Sequence, residues 1–287
     1  MENKIIDFSI ASSCNYNCSY CDGVNKKDVK FLKNKTLENY QETEALLKNI
    51  LGELKGSWIF NIGGPGEPFL IPNFLKLVKK IIKGGHKIQV VTNFSFSQKE
   101  LIEFCEITKN NLISFNASLH LEQANLNEFL KKAILINKKI GRKRFSVLSV
   151  VRKGKVSQLE KIGKKFREKG IIFTMQLEKG KSGGKYKYLK YSKKELEIIK
   201  NFRKNIYSEK DFKLKGRLCW SGCRYFVVNS KGDAWRCYSS KKEKNLEGYL
   251  GNFTDKTFKL KKNPVRCPYS YCFCITPINF KLVEGLK

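Results

Sequence analysis

Six short apolar runs alternate, over the first 180 residues, with longer segments whose apolar positions recur every three or four residues. The runs are Ile5–Ala11, Trp58–Ile62, Lys87–Thr92, Leu112–Ser118, Arg144–Val151 and Ile171–Leu177, each of strand length. Between the first two, 36–55 carries Leu37, Tyr40, Leu47, Ile50, Leu51 and Leu54 on one helical stripe. A helix over Phe74–Lys83 is halted by Gly84-Gly85. Ser97-Gln-Lys-Glu100 forms a capping box for the next helix, and Asn125–Asn137 and Ser157–Lys169 supply two more. Ser157-Gln-Leu-Glu160 reads as a second box and Gly170 as a C-terminal stop. Strand and helix alternating six times predict an α/β fold with an all-parallel sheet and crossover helices.

Polar residues collect where the predicted strands end. Cys14 follows the first, Gly63 to Glu67 the second, and Thr92-Asn93 the third. Ser118 and His120 follow the fourth, Arg152 the fifth and Glu178 the sixth. Barrel enzymes build their sites at that carboxyl-terminal face. Lys179–Tyr191 breaks the pattern, and its Gly-Lys-Ser-Gly-Gly run reads as a flexible linker. Ser192-Lys-Lys-Glu195 caps one more helix, to about Tyr207. From Cys219 onward short strands, turns and cysteines take over, with Tyr225–Asn229 and Ala234–Cys237 forming a hairpin about Lys231-Gly232. The expected division is a barrel over 1–180, a linker and connecting helix over 181–210, and a small cysteine-rich α+β domain over 211–287.

Composition narrows the class. The chain has 287 residues, 41% hydrophobic and 12% aromatic, as a globular protein does. No apolar run reaches the roughly 20 residues of a membrane-spanning helix, and the N-terminus lacks the pattern of a secretory signal. We expect a cytoplasmic, reducing setting, where ten cysteines serve as ligands more readily than as disulfides. The net charge of +31 invites a nucleic-acid partner. Lysine dominates it, however, and is spread along the chain, which favours a solvated surface over a phosphate-reading groove.

The chemistry is concentrated in Cys14-Asn-Tyr-Asn-Cys18-Ser-Tyr-Cys21. Three thiolates within eight residues can converge on one metal site and leave a fourth position open, whereas closed zinc sites take four ligands. The chain has only two histidines, His86 and His120. The spacing resembles the C-x-x-x-C-x-aromatic-C signature of the radical S-adenosylmethionine (SAM) family, with Cys14, Cys18, Tyr20 and Cys21 filling it. Gly63-Gly64-Pro65-Gly66-Glu67-Pro68 is similar to that family's glycine-rich motif.

The resemblance implies a partial (β/α)6 TIM-like barrel. It further implies a 4Fe-4S cluster on Cys14, Cys18 and Cys21, with SAM chelating the open iron. Gly63, Gly64 and Gly66 would hold the SAM amino group, Glu67 would fix their loop, and Tyr20 would lie against adenine. Asn93, beside Thr92, and Ser118 would contact methionine and ribose. Arg152 would pair with a carboxylate of SAM or substrate. His120, Glu178 and Arg152 are the candidate catalytic residues, with Glu122 a further acid–base candidate. A structural hydrogen bond is an equal reading for His120, and Cys105, on an apolar helix face, reads as core.

At the C-terminal end, Cys219 precedes Gly232 by twelve intervening residues, and Cys237 follows after four more. Downstream comes Cys267-Pro-Tyr-Ser-Tyr-Cys272-Phe-Cys274. A zinc knuckle is one reading. The pattern also resembles the twitch and SPASM extensions of radical SAM enzymes, which implies an auxiliary 4Fe-4S cluster on Cys219, Cys237 and two of Cys267, Cys272 and Cys274, with Cys223 spare.

The activity so implied is reductive cleavage of SAM, with an electron donor such as flavodoxin or ferredoxin. Hydrogen abstraction from an unactivated carbon of a sugar-like small molecule or a peptide would follow. Peptide modification would call for a separate leader-binding partner, because Cys14 lies so near the start. The rival of another class is a non-catalytic iron–sulfur or zinc protein binding nucleic acid.

Overall fold

The computed structural model describes residues 3–11, 13–21, 30–31, 40–64, 66–182, 185–202, 214–270, 272 and 276–286. Five units of strand and helix follow one another: Ile5–Ser9 (β1), Tyr40–Glu53 (α1), Ile59–Ile62 (β2), Phe74–Lys83 (α2), Lys87–Thr92 (β3), Gln98–Thr108 (α3), Leu112–Ser118 (β4), Leu126–Ile140 (α4), Phe145–Val151 (β5) and Val156–Glu168 (α5). Ile172–Leu177 (β6) and Lys193–Phe202 (α6) complete the sixth. The first six strands pair in parallel in sequence order, as the alternation predicts. The first helix is shorter than predicted within the described residues, and 36–39 lie outside them, as does the expected end of α6 near Tyr207.

The cysteine-rich region shares the barrel's sheet. Tyr225–Asn229 (β7) lies parallel against the free edge of β1, with Ile5 opposite Tyr225 and Ser9 opposite Asn229. Asp233–Trp235 (β8) and Tyr249–Asn252 (β9) then extend the sheet antiparallel, giving the order β9-β8-β7-β1-β2-β3-β4-β5-β6. The predicted hairpin is therefore present. It also closes an edge whose amides and carbonyls would otherwise be unpaired. The expected linker differs as well: Lys179–Ser182 and Lys185–Tyr188 pair antiparallel, while Gly183 and Gly184 lie outside the described residues.

Two capping boxes form as predicted, Ser97 with Glu100 and Ser192 with Glu195. The third does not. Helix α5 starts at Val156, which puts Ser157 inside the first turn, with Lys155 at the N-cap. Val156 is almost fully buried, and sinking that side chain into the core starts the helix ahead of the polar signal.

One face of the parallel sheet carries the core. Phe8, Phe60, Ile88, Val90, Phe115, Phe145, Val147 and Phe173 point into it and meet Leu47, Val78, Phe104, Phe129 and Phe166 from the helices. Cys105 is buried there too, as expected. Among the described residues, no helix is long and apolar enough to cross a membrane.

Helix α5 approaches closely because it carries Gly163: a Cβ there would stand 2.6 Å from Phe202 and 2.8 Å from Phe173. Gly163→Ala gains at most ~1 kcal/mol of helix propensity against roughly 1–3 kcal/mol of overpacking. We expect net destabilisation, read as a lower urea midpoint with an unchanged slope.

Candidate functional site

The site begins where the chain leaves β1. The glycine loop after β2 lies on that segment through two backbone bonds, Gly66 N–H to Ala11 C=O at 3.0 Å and Glu67 N–H to Ser13 C=O at 2.7 Å. A Cβ on Gly66 would stand 2.3 Å from the Ser13 carbonyl oxygen and 2.7 Å from its nitrogen, so only glycine fits. Gly64 has φ +145° and also rests on Ala11 and Ser9, while Gly63 faces Val91. Pro65 lies outside the described residues. The glycines thus dock one loop on another.

Glu67 locks that contact to β3. Only 2% exposed, it accepts from Thr92 Oγ1 at 2.7 Å, Phe69 N–H at 3.1 Å and Asn93 N–H at 2.5 Å. Burial pushes its carboxyl up to about 7, against the pull of those three donors. Asn93 in turn donates to Asn15 Oδ1 at 2.7 Å and approaches Cys14 Sγ at 3.8 Å.

Cys18 is buried, with its sulfur 3.3 Å from His120 Nδ1, and the same nitrogen lies 3.0 Å from Tyr20 Oη. The Tyr20 and His120 rings stack with centroids 6.1 Å apart. Burial lowers His120 to about 4, so its ring is neutral at pH 7 and holds these neighbours as a hydrogen-bonding group. Ser19 donates from N–H at 2.8 Å and from Oγ at 2.7 Å to the Glu122 carboxylate. Arg152 bonds Glu122, Ser19 Oγ at 2.6 Å and Glu178 at 3.1 Å, and lies 5.0 Å over the Tyr20 ring. Against a burial penalty, Ser19 and Arg152 hold Glu122 below the usual carboxylate range. Arg152, expected to meet a carboxylate of SAM or substrate, already meets two of the chain's own. Together these residues tie the cysteine loop to the ends of β4, β5 and β6. A cleft of about 310 Å³ opens beside them, lined by Tyr20, Leu121, Glu122, Val150, Arg152 and Gln158. Ser118 lies buried at the end of β4, in register with Leu148.

The donor set fits a thiolate-bound metal with an open position. Burial raises Cys14 to about 11 and Cys18 to about 12, and the other two cysteines of the loop add to the rise at Cys18. Ligation therefore has to release thiol protons. Among the described residues, no three Cys, His, Asp or Glu side chains already stand at metal-binding distances, so loading must draw the sulfurs together.

None of the nine described cysteines is disulfide-bonded, and Cys274 lies outside the described residues. Cys219 is buried beside Val283 and Leu214, with Cys267 and Cys272 packed on the same cluster. Cys237 stands in the neighbouring cluster with Tyr225 and Leu282, and caps the helix Tyr238–Glu243 (α7). Tyr269 connects the two: its carbonyl lies 3.7 Å from Cys267 Sγ, and its hydroxyl meets Ser240, the partner of Cys237. Cys223 instead approaches the Asn263 carbonyl at 3.0 Å. Cys219 and Cys237 thus sit in two neighbouring clusters, with the segment carrying Cys267 and Tyr269 touching both.

Two residues escaped the sequence reading. Asp7, 6% exposed in the middle of β1, accepts from Tyr225 Oη and from the Asn61 amide of β2. Burial raises its carboxyl above the ordinary value. The signal was present as single polar residues inside the apolar runs Ile-Ile-Asp-Phe and Ile-Phe-Asn-Ile.

No family model matches the chain. The 7-carboxy-7-deazaguanine synthase of Clostridium acetobutylicum is 28% identical over 124 residues, 42% of this chain and 49% of that protein, so the match spans about half of the relative's length. Among solved structures, anSMEcpe with bound AdoMet and Cp18Cys peptide superposes with a TM-score of 0.58 at 18% identity, covering 90% of this chain and 79% of that one. Native anSMEcpe with bound AdoMet gives 0.56 at 19% identity, over 88% and 79%. BtrN in complex with AdoMet and 2-DOIA gives 0.49 at 15% identity, over 90% and 81%. With anSMEcpe the likeness is one of fold, and it runs through both the parallel sheet and the C-terminal extension.

Two predictions follow from the loop contacts. Gly66→Ala must push two backbone segments apart, so iron retained after anaerobic reconstitution should fall by more than half, with a lower unfolding midpoint. For Glu67, the folded state keeps its proton up to about pH 7 and the unfolded chain only to about 4.5. Stability of the metal-free protein should therefore fall as pH rises through that window, by up to about 1.4 kcal/mol per pH unit. Glu67→Gln, compared by urea unfolding at each pH, should flatten that slope.

Proposed function

We propose that the chain is a radical SAM enzyme, one that reductively cleaves S-adenosylmethionine, a reading supported by its cysteine motif and by its fold. The carrying observation is the three-cysteine loop, held between a glycine loop that only glycine can form and the carboxyl-terminal ends of a parallel sheet. A cluster on Cys14, Cys18 and Cys21 would supply one electron from a flavodoxin- or ferredoxin-type donor, splitting SAM into methionine and a 5′-deoxyadenosyl radical. The radical would take a hydrogen atom from an unactivated carbon of a small-molecule or peptide substrate, leaving 5′-deoxyadenosine.

The chain's own residues do the rest. Glu67 fixes Asn93 and the Gly63–Gly66 backbone, where the SAM methionine would lie. Tyr20, held by His120 and Arg152, offers a ring face for adenine. Neutral His120 positions Cys18 and Tyr20 and carries no charge towards the cofactor. Arg152 latches the loop through Glu122 and Glu178. We assign an auxiliary 4Fe-4S cluster to Cys219, Cys237 and two of Cys267, Cys272 and Cys274.

Iron counting and SAM cleavage test this reading. Anaerobic reconstitution should give about two four-iron clusters per chain. Replacing Cys14, Cys18 and Cys21 together should leave one, and Cys18→Ala should abolish 5′-deoxyadenosine formation under strong reductant. Cys237→Ala should still release 5′-deoxyadenosine while product formation fails. Tightly bound zinc in place of iron, or an intact loaded protein that never cleaves SAM, would refute the proposal.

A further inference from the structure

Among the described lysines and arginines only Arg236 is buried, with 6% of its surface exposed. Two glycines make room for it. A Cβ on Gly222 would stand 3.3 Å from Arg236 Cβ, and one on Gly248 would stand 3.1 Å from Arg236 Cγ. The stem therefore runs in a slot that side chains at 222 and 248 would narrow. Its backbone is fixed as well, since Arg236 N–H donates to the Gly248 carbonyl at 2.7 Å.

No carboxylate answers this charge. Among the described residues Arg236 forms no ion pair, and its buried Nε has no hydrogen-bond partner. Both buried carboxylates are engaged elsewhere, Asp7 with Tyr225 and Asn61, and Glu67 with Thr92, Phe69 and Asn93. A guanidinium taken out of water without a counter-charge is costly.

The groups near it that can become anionic are thiols. Cys237 follows Arg236 in the chain, and Cys223 follows Gly222, the glycine packed on the Arg236 Cβ. Burial raises the thiols of Cys223 and Cys267; the charge of Arg236 pulls both the other way, and Cys219 acts on both. Arg224 and Lys261 also reach Cys223, but they are partly exposed and water screens them. A buried cation without an anion thus stands among thiols that burial keeps uncharged. Each answers the other once a metal converts the thiols to thiolates.

Resting on the auxiliary cluster assigned above, we propose that Arg236 is its counter-cation and holds its reduction potential up. A four-iron core on four thiolates is anionic, and it gains one further negative charge when it takes up an electron. A cation fixed in a low-dielectric setting stabilises the reduced form more than the oxidised one. The role is electrostatic, since a guanidinium has no lone pair to give to iron.

The test is a reductive titration of the fully reconstituted chain, followed by electron paramagnetic resonance. SAM alters the signal of the cluster it chelates, so the signal it leaves unchanged reports the auxiliary cluster. Arg236→Met removes the charge and keeps much of the stem. The auxiliary cluster should become at least tenfold harder to reduce, a fall of about 59 mV for one electron. Arg236→Lys should stay near the wild-type potential, and Lys261→Met should move it much less than Arg236→Met does. The SAM-sensitive signal should keep its potential in all three variants.

Urea unfolding of the metal-free chain separates this role from a structural one. Removing a structural arginine would lower the midpoint. Removing an uncompensated buried charge should raise it, with an unchanged slope. An unmoved potential in iron-replete Arg236→Met, or a metal-free midpoint that does not rise, overturns the inference. Should Arg236→Met lose its auxiliary iron, the metal-free midpoint decides alone. The cluster assignment fails by a different measurement: a wild-type chain that holds one four-iron cluster, or zinc at its C-terminal cysteines, removes the auxiliary site and this role with it.

Discussion

Two backbone segments meeting without side chains between them set the rest of this site. The Gly66 and Glu67 amides close on the carbonyls of Ala11 and Ser13, and that contact fixes where the chain turns after β1. Glu67 then carries the constraint sideways into β3 through Thr92 and Asn93. On the far side, Ser19 and Tyr20 are held by Glu122, Arg152 and His120 from the next strands. The cysteines between these anchors have little freedom left, although burial raises the Cys14 and Cys18 thiols above their ordinary range, so that ligation must first release their protons.

In this chain of net charge +31 the buried carboxylates among the described residues are Glu67, at this rim, and Asp7, inside the sheet. Glu67 is held by neutral donors, whereas Glu122 and Glu178 share one guanidinium. Most of the described lysines are exposed, where water screens them. The surface charge and the site chemistry are therefore separate matters, and a phosphate-binding role finds no support in the residues that actually converge.

The parallel alternation was legible because each strand is a short apolar run and each helix a periodic one. The three-cysteine loop was legible because its ligands are adjacent in sequence. The edge pairing of β7 with β1 was not, since a five-residue strand records nothing of a partner more than two hundred residues away. The latch was missed for a related reason: Ser19, Glu122, Arg152 and Glu178 come from four separate loops, and a charge at a strand end does not show that it will meet another. Ser157 misled because a capping signal was outweighed by the burial of Val156. Asp7 and Asn61 were missed because single polar residues inside strands read as noise until the register sets them side by side.

The pairing of β1 with β7 also imposes an order on synthesis. A ribosome that has delivered the whole barrel sequence has still delivered β1 with one edge bare, because residues 225–229 remain to be made. The cysteine loop hangs from that same strand. The nascent chain thus holds its cysteine loop on an unfinished sheet until 225–229 emerge, and the segment that completes the sheet brings with it the second set of cysteines. A cluster delivered before that moment would meet a half-built support, because the strand from which the loop hangs would lack one of its two neighbours.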